Sequence, residues 1–419
     1  MDRKIIVRDV EISNENVKIC VPIGGGCFDD IIEEANQVIE MQPDIVEWRC
    51  DDFSYKNYEE IMEVLVELRS IIWNTPLIFT FRTAEEGGNK TISEEEYKKL
   101  NILVAKSGLA DFVDVEAYSK ADYSKELIDD IHSAGAKVVG SYHDFDKTPK
   151  KELIVDVLKK IEKQGADICK IAVMPNTNED VQTLIEASKE ASEVIDVPIV
   201  TMSMGDLGAI TRVCSKLSKS SITFAKGVNA SAPGQIDCKL LRELVEISKN
   251  VKAEKNIILI GFMGTGKTTI SDALQKITGL TEIDVDKYIV EKEGMSIPEI
   301  FEQYGEKGFR DRETEALREI QKTSGKIVSC GGGAVLKEEN VEILKENGVI
   351  FLLTASPQVI LDRVKDDDQR PLLRGHMNVE YIEELMEKRR AKYEAAADYR
   401  VDTDCSDRVK SCYDILVKM

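Results

Sequence analysis

Eight short β-rich runs alternate with amphipathic segments across the first ~235 residues, and that alternation leaves the chain very few architectures. The runs are KICVPIG (18–24), DIVEWRCD (44–51), LIFTFRT (77–83), FVDVEA (112–117), KVVGSYHDF (137–145), ADICKIAV (166–173), PIVTMSMG (198–205) and SITFAKG (221–227). Between them, segments such as YEEIMEVLVELRSII and KKELIVDVLKKIEKQ repeat apolar residues at three and four, and Ser93 with Glu96 has the pattern of a capping box. Strand starts lie roughly 23–35 residues apart, room for a strand, a helix and two loops. Eight such units predict an α/β fold of the (β/α)8 (TIM) barrel type, with its active site at the C-terminal strand ends. An open doubly wound sheet has the same periodicity, because periodicity does not reveal closure.

The pattern restarts later. A helix predicted over 235–250 runs through the polar stretch VKAEK into a new strand, NIILIGF (256–262), so the expected domains are 1–252 and 253–419. Further strands are predicted at 326–330 and 349–354. Gly261-Phe262-Met263-Gly264-Thr265-Gly266-Lys267-Thr268 fits G-x-x-x-x-G-K-[ST] between a strand and a helix, the context that motif requires. Glycines there turn backbone N–H groups toward phosphates, Lys267 reaches the terminal phosphates, and Thr268 is placed to ligate Mg²⁺. Asp284-Val285-Asp286 is expected to end a strand with both carboxylates on one face, one toward Mg²⁺ and one toward an acceptor hydroxyl. Arg310 beside Phe309 and the run Gly331-Gly332-Gly333 after a strand suggest a ligand approached closely by backbone. An ion-paired surface and a tight turn are the plain alternatives.

Charge decides which partners remain. Lys plus Arg number 56 against 77 Asp plus Glu, a net −21 that repels nucleic acid and anionic lipid at long range, so any polyanion site is local. The nine cysteines include no C-x-x-C pair, which argues for reduced thiols and against structural zinc. No apolar run approaches the ~18 residues of a membrane span. A soluble cytoplasmic protein with small-molecule partners is expected, with no nucleic acid, no membrane, and a homodimer through the barrel left open.

Over 254–419 the chain resembles shikimate kinase, through GFMGTGKTT, DVD, FRDRE, CGGGAV, RPLL and the R-x-x-x-Y stretch Arg389–Tyr393. The resemblance implies a P-loop, nucleoside-monophosphate-kinase-like domain with a parallel sheet, using ATP and Mg²⁺. It implies that Gly264, Thr265, Gly266, Lys267, Thr268 and Thr269 hold ATP, with Thr268 and Asp284 at the metal. Asp286, Arg310, Gly332 and Arg389 would hold shikimate, and Arg370 on a lid at 366–376 would meet the transferring phosphoryl group. Ala391-Lys392 departs from the family's usual Pro-Leu, and Arg390 stands beside Arg389, so the choice between the two arginines stays open.

In the first half, Lys170 sits mid-strand among apolar neighbours, where burial frees an amine as nucleophile toward a ketone; an edge or snorkelling lysine is the alternative. His143 ends the preceding strand, and Glu47 and Arg49 alternate onto one face. With Arg82, Arg212, Ser231 and Gln235 at other strand ends, the mouth suits a small polyhydroxylated carboxylate. These residues are similar to type I 3-dehydroquinate dehydratase over about 17–250, through EWRxD, FRTxxEGG, SYHDF, the lysine strand, TMSMG and SAPGQ. The resemblance implies an imine between Lys170 and the C3 carbonyl of 3-dehydroquinate, with His143 as proton carrier and Glu86 orienting it. Arg212 would bind the carboxylate, Glu47, Arg49, Arg82, Ser231 and Gln235 would grip hydroxyls or close the lid, and no cofactor would be needed. The two resemblances together imply a bifunctional enzyme of the shikimate pathway. Another Schiff-base lyase in the barrel, or a non-catalytic nucleotide-sensing or scaffold module in one half, are the competing readings.

Overall fold

Every one of the eight β-rich runs becomes a strand in the computed structural model, which describes residues 3–251, 254–365, 378–405 and 407–419. A hairpin not expected from the sequence comes first, β1 (Lys4–Val7) and β2 (Val10–Ser13). Then follow β3 (Lys18–Ile23), β4 (Ile45–Arg49), β5 (Leu77–Thr80), β6 (Phe112–Val115), β7 (Lys137–Asp144), β8 (Ile168–Val173), β9 (Ile199–Ser203) and β10 (Ile222–Phe224). These eight pair in parallel in the order β10-β3-β4-β5-β6-β7-β8-β9. The seam between β9 and the short β10 is drawn together where Ser221 N–H donates to the Ile199 carbonyl at 2.8 Å, so the sheet is a nearly closed barrel.

Sequence patterning divides the barrel interior into two ends. Cys20, Ile45, Ile78, Phe112, Val139, Ile168, Val200 and Ile222, one from the N-terminal part of each strand, join Val7 and Ile12 of the hairpin in one apolar cluster. Each such burial is worth about 1.5–3 kcal/mol. The hairpin therefore plugs the N-terminal mouth and leaves the polar positions to the opposite end. Its turn carries no glycine: Arg8 adopts φ 52° and donates to Asp111 at 2.8 Å. That absence of turn chemistry hides the hairpin from a sequence reading.

The second unit is a five-stranded parallel sheet of β11 (Asn256–Ile260), β12 (Thr281–Asp284), β13 (Lys326–Ser329), β14 (Gly348–Thr354) and β15 (Tyr399–Asp402), in the order β12-β13-β11-β14-β15. Wholly buried β11 is flanked by β13 and β14, so the crevice beyond its carboxyl end lies at a change of strand order. There the chain turns through Gly261 (φ 151°), Gly264 (φ 77°) and Gly266 (φ 87°) into the helix Lys267–Thr278. A Cβ at Gly261 would stand 2.5 Å from the Leu353 carbonyl, so that first glycine is needed for close approach as well as for its dihedral.

The two units divide after Glu246, inside the helix Cys238–Asn250 and ahead of the expected boundary at 252. Asp284 and Asp286 do not share a strand face. Asp284 ends β12 and caps the helix Val285–Glu293, accepting from Lys287 N at 3.0 Å, and Asp286 stands in that helix's first turn. The strand was expected to run through Asp286, but the cap stops it two residues earlier. All nine cysteines are free thiols. Among the described residues no helix is long and apolar enough to cross a membrane.

Candidate active sites

Alternation along the barrel strands turns one set of polar side chains into the C-terminal end of the barrel. Glu47 and Arg49 on β4, Lys170 on β8, Arg82, Glu86, His143, Arg212, Ser231 and Gln235 all line one cavity, with Phe145 and Met204 at its edge. Lys170 is 5% exposed. Its Nζ stands 3.8 Å from Glu47 Oε1, 3.7 Å from Asp114 Oδ2 and 4.4 Å from the centre of the Phe224 ring. Ser141 on β7 is in register with Lys170, and His143 follows two residues on, one layer closer to the mouth.

His143 Nδ1 lies 2.9 Å from Glu86 Oε2. Burial pushes the Glu86 carboxyl up to about 8, and burial together with Arg82, Lys170 and Arg49 pushes the His143 imidazole well below its usual range. Both directions favour a carboxylic acid facing a neutral imidazole over an ion pair. Ser119 Oγ donates to the other Glu86 oxygen, which fixes the acid side on.

Arg82 is the centre of the buried charge. Its guanidinium donates to Ser141 Oγ at 2.9 Å, Asp114 Oδ1 at 2.7 Å, Glu116 Oε1 at 3.3 Å and Glu86 Oε2 at 3.4 Å. Glu116 also accepts from Thr83 N at 2.8 Å and Thr83 Oγ1 at 2.7 Å. Arg49 donates twice to Asp51, at 2.9 and 2.8 Å, and the bridge raises the guanidinium and lowers the carboxyl against the opposing effect of burial. Sequence reasoning gave Asp51, the last residue of EWRxD, no role of its own, and overlooked Asp114 and Glu116 as members of the site. Carboxylates at i and i+2 in the apolar run Phe112–Ala117 were the available signal for the last two, since a charge is buried only against partners.

Arg212 differs from every other cation here. It is wholly buried, and among the described residues its donors reach the Phe224 carbonyl at 3.2 Å, the Pro233 carbonyl at 3.1 Å and Met202 Sδ at 3.7 Å. Its Nε has no partner and, among the described residues, no carboxylate pairs with it. Burial lowers it to about 10, so it is still a cation at neutral pH. An unpaired buried guanidinium facing a cavity is a ready receptor for an anionic group. Beside it Gln235 Nε2 donates to Ser231 Oγ at 3.0 Å, and Ser231 N donates back to Gln235 Oε1 at 2.7 Å, which closes the loop 231–235 on itself. Replacing Arg212 with methionine is expected to raise KM for an anionic substrate about 10–100-fold, the worth of ~1.5–3 kcal/mol for a charged hydrogen bond. Thermal stability should hold or rise, because an unpaired buried charge is removed. Steady-state kinetics beside a melting curve checks both.

In the second unit Gly264, Gly266, Lys267, Thr268 and Thr269 line a cavity with Arg363, Thr403, Cys405 and Arg408. Thr265 is buried and turned away, its Oγ1 donating to the Phe262 carbonyl at 2.8 Å. Lys267 Nζ donates to the carbonyls of Gly261 and Phe262 at 2.8 and 3.0 Å, arching over the loop. Arg363 and Arg408 were missed in the sequence. They stand far from the loop in the chain, and Arg363 is placed by its bond to the Gly264 carbonyl at 3.3 Å.

Beside this cavity Asp286, Arg310, Gly332 and Arg389 converge on the turn after β13. A Cβ at Gly331 would lie 2.9 Å from Asp286 Oδ1, and one at Gly333 only 2.3 Å from an Arg310 nitrogen. Burial and Asp284 raise the Asp286 carboxyl, with Lys267 and Arg310 opposing. The Gly332 carbonyl accepts from Tyr393 OH and from Arg389 at 3.4 Å, whereas Arg390 turns to Glu387 at 2.8 Å. Arg389 is therefore the arginine at the glycine turn. Arg370 and the rest of the expected lid lie outside the described residues. Among those residues no group of three or more His, Cys, Asp or Glu side chains is arranged to hold a metal ion.

Residues 19–252 match the family model of type I 3-dehydroquinase, and residues 263–419 that of shikimate kinase. The 3-dehydroquinate dehydratase of Clostridioides difficile is 44% identical over 249 residues, 59% of this chain and 98% of that protein. A crystal structure of the type I enzyme from Clostridium difficile with covalently modified comenic acid aligns at TM-score 0.56 and 44% identity, over 59% of this chain and 97% of its own. A shikimate kinase from Acinetobacter baumannii in complex with shikimate aligns at TM-score 0.38 and 35% identity, over 40% of this chain and 94% of its own.

Proposed function

Because the chain belongs to the type I 3-dehydroquinase family over residues 19–252 and carries a shikimate kinase domain over 263–419, we infer a bifunctional shikimate-pathway enzyme whose barrel works through an imine on Lys170. The observation that carries the imine reading is the buried Lys170 amine facing one cavity with the unpaired Arg212 cation. Arg212 binds the substrate carboxylate and so directs the ketone toward Nζ. The ketone oxygen leaves as water, and the iminium then withdraws electrons from the neighbouring C–H bond. His143, uncharged and held by Glu86, carries the protons as the second water is lost. Glu47, Arg49, Arg82, Ser231 and Gln235 hold the hydroxyls and close the mouth. A 44% identical relative whose crystal structure is described with covalently modified comenic acid supports covalent chemistry in the barrel. Borohydride reduction in the presence of 3-dehydroquinate tests it: an adduct mass that is absent from a Lys170→Ala variant supports the imine, and turnover with no adduct sinks it.

In the kinase domain ATP binds along Gly264, Gly266, Lys267, Thr268 and Thr269, and Asp286, Arg310, Gly332 and Arg389 hold shikimate. Asp286, raised by its surroundings, accepts the hydroxyl proton as that oxygen attacks the terminal phosphorus. A hydroxyl on Thr268, exposed to the cavity, and a carboxylate on Asp284, whose cap uses one oxygen, are the hard donors Mg²⁺ prefers. Bound there, Mg²⁺ would offset charge on the terminal phosphates. A Gly333→Ala variant should keep its melting temperature, since the side chain that must yield is a flexible arginine, yet show a shikimate KM raised about tenfold as Arg310 is displaced. Shikimate titration at saturating ATP checks this.

We place the functional boundary at 252/253, the enzyme in the cytoplasm, and leave self-association to the barrel. The products do not feed one another directly: dehydroshikimate needs reduction before the kinase step. Separately expressed 1–252 and 253–419 should each keep kcat within about threefold of the full chain. An inactive fragment would show that the halves depend on each other.

A further inference from the structure

Lys170 faces two carboxylates, and they are not equivalent. Glu47 lines the cavity and has its own donor, Thr80 Oγ1 at 2.9 Å. Asp114, on β6, is fully buried and does not line the cavity. Its Oδ1 accepts from Arg82 and from Ser141 Oγ, each at 2.7 Å. Its Oδ2 has no hydrogen-bond donor, although no solvent reaches it, and it stands 3.7 Å from Lys170 Nζ. A buried carboxylate oxygen left without a donor is costly unless a cation faces it. Arg82 cannot supply that charge alone, because Glu116 also draws on it.

We propose that Asp114 is the fixed counter-ion of the Lys170 nitrogen, answering its charge first as an ammonium and then as an iminium. The role rests on the imine reading above. Overall, Lys–NH₃⁺ and a ketone give Lys–NH⁺=C and water: the C–N double bond forms, the C–O double bond breaks, two of the three ammonium protons leave with the oxygen, and the third stays on nitrogen. Between those two cations the nitrogen passes through an uncharged amine and carbinolamine, and positive charge returns to Nζ as the carbinolamine expels water, so a carboxylate behind the nitrogen stabilises that step without touching the substrate. Ser141 and Arg82 serve Asp114 by anchoring its other oxygen, which leaves Oδ2 aimed at the amine. Glu47, in front of the nitrogen, is left to bind substrate.

The test is a KM-against-kcat split combined with trapping. Asp114→Asn should lower kcat about 10–100-fold and lower the fraction of chain trapped by borohydride with 3-dehydroquinate, with KM within about threefold of wild type. Glu47→Gln should instead raise KM. If Asp114→Asn does not fold, Asp114→Glu, which keeps the charge opposite Arg82 but moves its position, should show the same fall in kcat at unchanged KM. Wild-type kcat and trapping in a folded Asp114 variant, or a loss confined to KM, overturns the proposal. Wild-type turnover with no trapped adduct would overturn the imine itself, a separate result.

Discussion

A Lys170→Ala chain is expected to lose dehydration by about 10⁴-fold or more, to give no reduced adduct, and to phosphorylate shikimate at the wild-type rate. The size follows from chemistry that no other group in the cavity can replace. His143 is uncharged and tied to Glu86, and the arginines are not nucleophiles. The same substitution strips the cation from between Glu47 Oε1 and Asp114 Oδ2, at 3.8 and 3.7 Å, and an uncompensated buried charge costs about 3–5 kcal/mol. Loss of activity in the alanine variant is therefore open to a trivial cause. Lys170→Arg separates the two effects, because it keeps a charge against both carboxylates and cannot form the imine. Arginine should be as inactive as alanine while melting closer to wild type. An alanine variant that still turns over, with its fold intact, would remove the lysine from the mechanism and leave the barrel to another chemistry.

The residues legible in the sequence were those whose role follows from local pattern. The P-loop was readable because its glycines, lysine and threonine are consecutive, and Lys170 because a charge inside Ile168–Val173 contradicts its neighbours. What stayed hidden depended on register. Nothing in the sequence says that Asp114, on β6, meets a lysine on β8, since β7 lies between them and the stagger of the barrel brings the two together. The pairing of Arg82 with Asp114 and Glu116 from one distant run and Ser141 from another was equally invisible. The Asp284–Asp286 geometry failed for a different reason. An aspartate at a strand end also caps a helix, and the cap turned the second carboxylate out of the strand's alternation. The choice of Arg389 over Arg390 likewise needed the helix rotation that brings one of them to the Gly332 carbonyl.

Lys267→Ala should lower phosphorylation about 10³-fold or more and leave dehydration unchanged, so the barrel serves as an internal measure of active protein. Lys267 Nζ is held by two carbonyls of its own loop, at 2.8 and 3.0 Å. That arch makes the ammonium part of the cradle before any phosphate arrives, and its charge needs no reorganisation when negative charge grows on the transferring group. The substitution could also act by loosening the loop, and the two causes separate by kinetic parameter. A loosened loop weakens ATP binding, so saturating ATP restores turnover. A missing charge at the terminal phosphates lowers kcat and ATP does not rescue it. Lys267→Arg, which restores charge in a bulkier fork, should recover part of kcat only in the second case. If Lys267→Ala phosphorylates shikimate within about threefold of wild type, the loop does not cradle the reacting phosphates, and a nucleotide-sensing role for this domain becomes the better reading.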